Sequence, residues 1–275
     1  MNRKDLEPET SPKAAFGEHL RTLRDARGWT QDELGERMGY SGTHISAVET
    51  GRRSPTSRFS ASADKALGSG DQLERQGRAV RHSALIEGFP EYIAHEAKAA
   101  EIRLYEVGVI PGLLQTPEYA ATLEADSVRR EAITPEQADE RVELVAKRQA
   151  NLVRSPSPLI LVVLDEGCIR RTMGAPAVMD GQYARLLEFA ELPNTVLQVA
   201  TFSMGARRPF SLPVTVLTLP DRSLMSYAES VHRGHLERES TFVLPLLTAY
   251  HQLQAEALSQ ADSVAMISTL RKGTP

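Results

Sequence analysis

The 275-residue sequence holds a single cysteine, Cys168, and that scarcity removes whole classes of chemistry. One thiol can form neither an internal disulfide nor a cysteine-based zinc cluster. It follows Asp165 and Glu166, whose charge raises a neighbouring thiol pKa, so a nucleophilic role is not expected. No stretch approaches the roughly 18 apolar residues of a membrane helix. The opening MNRKDLEPETSPK has no apolar centre of the kind a secretory leader needs. A cytoplasmic chain with no membrane association is therefore expected. An overall positive balance is missing too, since 32 Lys and Arg face 36 Asp and Glu for a formal net charge of -4. GxSxG, HExxH and dinucleotide-binding signatures do not occur. The glycines of GSGDQLERQGRAVRH have no strand before them and no Lys-Ser/Thr after them, so they are not read as a phosphate loop. No catalytic residue and no cofactor is expected.

What remains is ordinary in composition, 41% hydrophobic and 25% charged, and long enough for one to three domains with a sizeable core. Residues 1 to 75 hold as many acidic as basic residues, yet between Arg37 and Arg58 four arginines, with Arg52 and Arg53, meet only Glu49. The pattern divides the chain into a polar tail over 1–14, expected to be disordered, a compact helical unit over 15–73, a charged connector over 74–89 and a longer region over 90–272. In the helical unit Phe16, Leu20 and Leu23 recur at helical spacing, and Gly28 ends the run. Thr30 and Glu33 form a capping box for a second helix. Gly39 suits a left-handed turn, and Ser41 caps a third helix with Ile45 and Val48 inward and Gly51 closing it. Two short helices about a tight glycine turn, with small Gly35 where their axes approach, make a helix-turn-helix.

The stretch LRTLRDARGWTQDELGERMGYSGTHISAVETGRRSP resembles the Cro/repressor-like, or XRE-type, helix-turn-helix of bacterial regulators, over roughly residues 15 to 72. The resemblance implies that the second motif helix lies in the DNA major groove. Gly42, Thr43, Ser46 and Ala47 then lie on the face toward base edges, with Ser41 and His44 in the same candidate set. Gln31, at a helix N-terminus, is implied as a phosphate ligand. The family also implies that Glu49 pairs with an arginine of the first helix, here Arg24. Arg52 and Arg53 directly follow the reading helix and are candidate phosphate contacts, with solvated surface charge as the alternative. Thr43 and Ser46 are short, and Gly42 and Ala47 carry no donor, so apolar contact and DNA shape are expected to outweigh bidentate base reading.

In the second region PEYIAHEAKAAEIRLYE reads as an amphipathic helical stretch. Thr116–Pro117 and Thr134–Pro135 start further helices, the latter with Val142, Val145 and Leu152 as its apolar stripe. Leu159 to Leu164 and Val196 to Ala200 read as strands about a helix from Pro176 to Leu192. VTVLTL and LMSYAE flank PDRS as a hairpin, and the C-terminal third returns to helix. The expected fold class is an all-α helix-turn-helix domain followed by an α+β domain with a small mixed sheet.

YEVGVIPGLLQTPEYA, RQANL, LDEGCIRRTMG and LPNTVLQVATF resemble the DUF5753 domain that follows XRE-type motifs in actinobacterial, especially Streptomyces, regulators, over roughly residues 90 to 270. The resemblance carries no catalytic residues. It implies a small DUF397-type protein as a possible partner, some such pairs being described as antitoxin and toxin. His232 and His235 beside Glu229 and Glu237 suggest either a metal pair or the start of a solvated helix, and no metal is expected. In VIPGLLQTPEY, Leu113 and Leu114 are candidate partner contacts, with a packed corner as the alternative. One motif covers about half a DNA site, so a homodimer on double-stranded DNA is expected. A sequence-specific transcriptional regulator leads, ahead of an autoregulating antitoxin and an enzyme of unrecognised chemistry.

Overall fold

A computed structural model of the chain describes residues 12–83, 85–230 and 233–273 and divides into two compact units between Leu85 and Ile86. The first unit is five helices: α1 (Pro12–Ala26), α2 (Gln31–Met38), α3 (Gly42–Glu49), α4 (Ser57–Leu67) and α5 (Gln72–Ser83). Phe16, Leu20, Leu34, Ile45, Val48, Phe59, Leu67, Leu73 and Val80 form its core. Helical spacing turns each of these apolar positions inward, and each helix junction is chemically marked. Thr30 caps α2 in a complete capping box with Glu33, while Ser41 and Thr56 accept the backbone N–H groups of His44 and Phe59.

The expected connector is largely a helix. Residues 72 to 83 form α5, which packs Leu73 and Val80 against α1 and α4. Asp64 fixes its start by accepting the N–H groups of Leu73 at 3.0 Å and Glu74 at 2.8 Å. Leu73 and Val80 stand seven positions apart on one side of an otherwise polar helix, so the run holds few large apolar residues and reads as a charged connector. Of the expected tail, residues 1 to 11 lie outside the described residues, whereas Pro12 to Ala14 open α1 and Ala14 is buried.

The second unit orders α6 (Phe89–Glu96), β1 (Glu101–Glu106), α7 (Pro117–Arg129), α8 (Pro135–Ala150), β2 (Leu159–Asp165), α9 (Glu166–Arg170), α10 (Pro176–Ala190) and β3 (Thr195–Ala200). After these come β4 (Val214–Thr218), β5 (Leu224–Glu229), β6 (Gly234–Glu237), α11 (Ser240–Glu256) and α12 (Gln260–Arg271). The six strands form one mixed sheet in the order β3-β2-β1-β4-β5-β6. β1, β2 and β3 are parallel and the remaining pairs antiparallel, with Leu104 opposite Val162 on one side and Thr215 on the other. The fold class matches the expectation.

Two elements differ from it. EIRLYE is the central strand β1 rather than the end of a helix: Ile102 and Leu104 enter one core, Tyr105 the other, and Arg103 is reconciled with burial by its ion pair to Glu101 and a 2.9 Å bond to Thr218. Three charges, Glu101, Arg103 and Glu106, and a preceding AHEAKAA run disguised it. GHLE, expected near a helix start, is the edge strand β6. The larger core lies on the face covered by α7, α10 and α12. α11 covers part of the other, where the Tyr250 hydroxyl donates to the Leu161 carbonyl at 2.7 Å. The outer β3 edge is closed by Leu258 N–H to the Val199 carbonyl and by Ser263 Oγ on the Val199 N–H.

Candidate nucleic-acid interface

The turn between α2 and α3 is set by backbone sterics. Gly39 sits in the left-handed region at φ 77° and gives its N–H to the end of α2. At Gly35 a Cβ would stand 2.5 Å from the Tyr40 carbonyl oxygen, so only glycine lets the chain fold back this closely. With Ile45 and Val48 in the core, the opposite side of α3 turns outward: Ser41 and Thr43 are exposed, and Gly42, His44, Ser46 and Ala47 are half-exposed.

A buried charge cluster locks that helix to its neighbours. Glu49, fully buried at the last residue of α3, accepts Nε of Arg24 at 2.6 Å and Nη2 of Arg24 at 3.0 Å. Gln31 Nε2 donates to the same carboxylate at 2.8 Å, and Arg21 stands 3.7 Å away. Arg24 also reaches the Trp29 carbonyl at 2.7 Å and Asp25 at 2.6 Å. Hydrogen bonding to Glu49 raises the Arg24 pKa above its usual range, so the guanidinium stays charged. One carboxylate thus joins α1, the start of α2 and the end of α3. Because breaking a buried pair strands a charge, removal of one partner costs about 3–5 kcal/mol. The implied Arg24–Glu49 pair is present. Gln31, implied as a phosphate ligand, has one amide hydrogen engaged by Glu49 and is held at the N-terminus of α2.

Beyond α3 the chain turns tightly. Arg53 N–H bonds the Ala47 carbonyl at 3.0 Å, and its guanidinium meets Nδ1 of His44 at 3.2 Å. Arg52 is exposed, with Nε on the Thr50 hydroxyl at 3.0 Å. Arg37 and Arg58 are exposed as well, and Arg37 lies over the Trp29 ring at 4.3 Å. The His44 ring stacks on Phe59 at 5.3 Å and meets Tyr40 edge-on at 4.7 Å, so it braces the α3–α4 junction. That aromatic trio and the contribution of Arg21 escaped sequence reasoning. Arg21 and Arg24 at i, i+3 on one helix were the available signal.

The second unit's candidates fare differently. Leu113 and Leu114 lie in a 3-10 turn, Gly112–Leu114, and both are buried in the main core. This corrects the partner-contact expectation: Pro111 and the turn point both side chains inward, and Gln149 Nε2 holds the segment through the Gly112 and Gln115 carbonyls. Cys168 is buried with its thiol donating to the Glu106 carbonyl, and burial, then Glu106 and Asp165, push its pKa far up. His232 lies outside the described residues, and His235 is exposed on β6. Among the described residues no cluster of His, Cys, Asp and Glu is arranged to hold a metal, and no helix is long and apolar enough to cross a membrane.

Paired short helices, a locked second helix with an outward face and arginines at its exit define a helix-turn-helix protein. The chain matches the helix-turn-helix domain model over residues 15–76 and the model of DUF5753, a domain of unknown function, over residues 89–269. The second match spans most of the chain, which therefore belongs to the DUF5753 family. No curated protein and no solved structure matches it.

Proposed function

We propose that the protein is a sequence-specific, DNA-binding transcriptional regulator of XRE type, working as a cytoplasmic homodimer whose second unit mediates assembly and the response to a ligand or partner. The observation that carries this reading is α3. Its inner side is fixed by Ile45, Val48 and the Glu49 cluster, while Thr43, Ser46 and Ala47 face outward beside exposed Arg52. A rigid helix with an outward face and flanking cations suits insertion in a major groove. Gly42, Thr43, Ser46 and Ala47 meet base edges and methyl groups in this reading. Ser41, Gln31, Arg52 and Arg53 meet phosphates, and His44 supports the face from behind. Short side chains on the reading face give modest affinity to one motif, so two copies about 34 Å apart are required.

The test is a pair of substitutions that leaves the core alone. With Thr43→Glu and Ser46→Glu together, two carboxylates on the outward face of α3 should abolish binding to DNA selected by the wild-type chain, with unchanged thermal melting. Retained binding would reject α3 as the reading helix.

A further inference from the structure

The carboxyl ends of the parallel strands hold a buried donor without an acceptor. Tyr105, next to the last residue of β1, is 1% exposed, and among the described residues its hydroxyl has no hydrogen-bond partner. Buried polar groups are almost always paired, so this one asks for a reason. Burial above all pushes its pKa up to about 12, and the hydroxyl therefore stays protonated and able to donate. Register sets Tyr105 between Val163 of β2 and Val214 of β4, and Asp165, two residues beyond Val163, lies on the same side of the sheet. The Arg208 guanidinium stands beside the Tyr105 hydroxyl without a well-aligned bond to it, and gives Nη1 to Asp165 Oδ2 at 2.5 Å.

Arg208 arrives on the segment 201–213, which leaves β3 and returns to β4 on the far side of β2 and β1. The order of strands thus reverses beside β1. In open α/β sheets the crevice outside the carboxyl ends at such a reversal is where ligands lie. The segment packs on Tyr105 through buried Met204 and half-buried Phe210, whose ring lies 5.8 Å from that of Tyr105. It is tied down by the Phe202 N–H on Glu166 at 2.8 Å and by an ion pair from Arg207 to Glu256, and it bends at Gly205, where φ is 55°. The Arg208 side chain is 36% exposed, which gives the site a way to solvent.

Chemistry narrows what this place would take. Two donors, the Tyr105 hydroxyl and the Arg208 fork, stand together, while Asp165 already accepts both Arg208 and the Gly167 N–H. An acceptor is therefore called for. A phosphate dianion needs more cationic charge than one guanidinium paired with Asp165 supplies, whereas a planar carboxylate matches the fork. We propose that Tyr105 and Arg208 bind the carboxylate of a small apolar monoacid at the carboxyl end of β1, with Met204 and Phe210 against its hydrocarbon part. The inference rests on the reading of the second unit as ligand-responsive and gives that response a place and a ligand class.

Calorimetry and saturation-transfer NMR of the full chain with sodium benzoate, sodium hexanoate, benzamide and inorganic phosphate test it. Both acids should bind saturably, and benzamide and phosphate at least about 10-fold more weakly, the worth of one hydrogen bond to a charged group. Tyr105→Phe should weaken both acids about 10-fold with unchanged thermal melting, since a hydroxyl that serves only the fold and has no partner leaves no trace when removed. Arg208→Lys keeps a cation for Asp165 but loses the fork, and should weaken them at least as much. Failure of both acids to bind, or binding that both variants leave unchanged, overturns the site. Titration of selected DNA with and without saturating benzoate separates the two levels. A change in DNA affinity of at least about fivefold joins the site to regulation, whereas normal acid binding by a chain that ignores DNA overturns the regulator reading and leaves the site standing.

Discussion

The two units use their buried charges in opposite ways. In the helical unit one carboxylate, Glu49, gathers Arg24, Gln31 and Arg21 and thereby fixes the helix whose other side is exposed. In the sheet unit the buried pairs bind the fold to itself. Arg148 grips Glu96 through two bonds of 2.8 Å, and Asp165 accepts both Arg208 and the Gly167 N–H that starts α9. The first arrangement holds a surface ready for something outside the chain. The second ties elements of the sheet unit to one another. The helical unit therefore uses its buried charge to position an exposed helix face, whereas the sheet unit uses it to join its own elements.

Two scarce residues allow the units to be followed separately. The only tryptophan, Trp29, lies in the first unit and the only cysteine, Cys168, in the second. The largest effect is expected from Arg24→Leu. Leaving Glu49 buried without its main partner should destabilise the first unit by about 3–5 kcal/mol. Urea titration should then show an early Trp29 fluorescence transition with unchanged Cys168 protection, and a coincident early exposure of Cys168 would mean that the units do not unfold separately. Leu114→Ala mirrors it. Truncation of a fully buried leucine should cost about 2–5 kcal/mol, now read as earlier thiol labelling with Trp29 unmoved. If stability were unchanged, Leu114 would belong to a surface after all.

How much of this was legible follows from the same contrast. The helical unit was readable because its turns need particular residues: Gly39 for a positive φ, Thr30 and Glu33 for a reciprocal cap, Gly35 for a close approach. The outward face of α3 was named by its resemblance to XRE-type motifs, whereas the spacing itself supplied only the inward Ile45 and Val48. Sequence reasoning lost α5, whose two core anchors are diluted by charge, and it lost β1, where Arg103 and the flanking glutamates hid a strand buried on both faces. Leu113 and Leu114 were ambiguous because a Pro-Gly corner looks the same in sequence whether it closes a core or opens a groove.

Smaller effects sharpen the comparison within the first unit. Replacing Arg52 and Arg53 by alanine should weaken binding to all DNA sequences about equally, and the salt slope should fall by about one for each phosphate that is no longer neutralised. Parallel anisotropy titrations at two salt concentrations check this, and an unchanged slope would return both arginines to solvated surface charge. The smallest effect concerns acid. The Glu33 carboxylate accepts the Thr30 backbone N–H and hydroxyl, which hold its pKa below the usual range. Its capping contribution is therefore present above the ordinary carboxylate range and is lost as the pH falls through the lowered value. Glu33→Gln keeps an acceptor for the cap and should flatten the acid-side decline of the Trp29 midpoint; an unaltered decline would assign it to other carboxylates.

The central claim, that α3 reads DNA from a dimer, is tested most directly by selection of random duplexes with the purified full-length chain, followed by sequencing. The account predicts enrichment of a two-fold symmetric sequence whose half-sites lie about 10 base pairs, or one helical turn, apart. Recovery of DNA no different from the starting pool, at a salt concentration where the chain is folded and soluble, would contradict it.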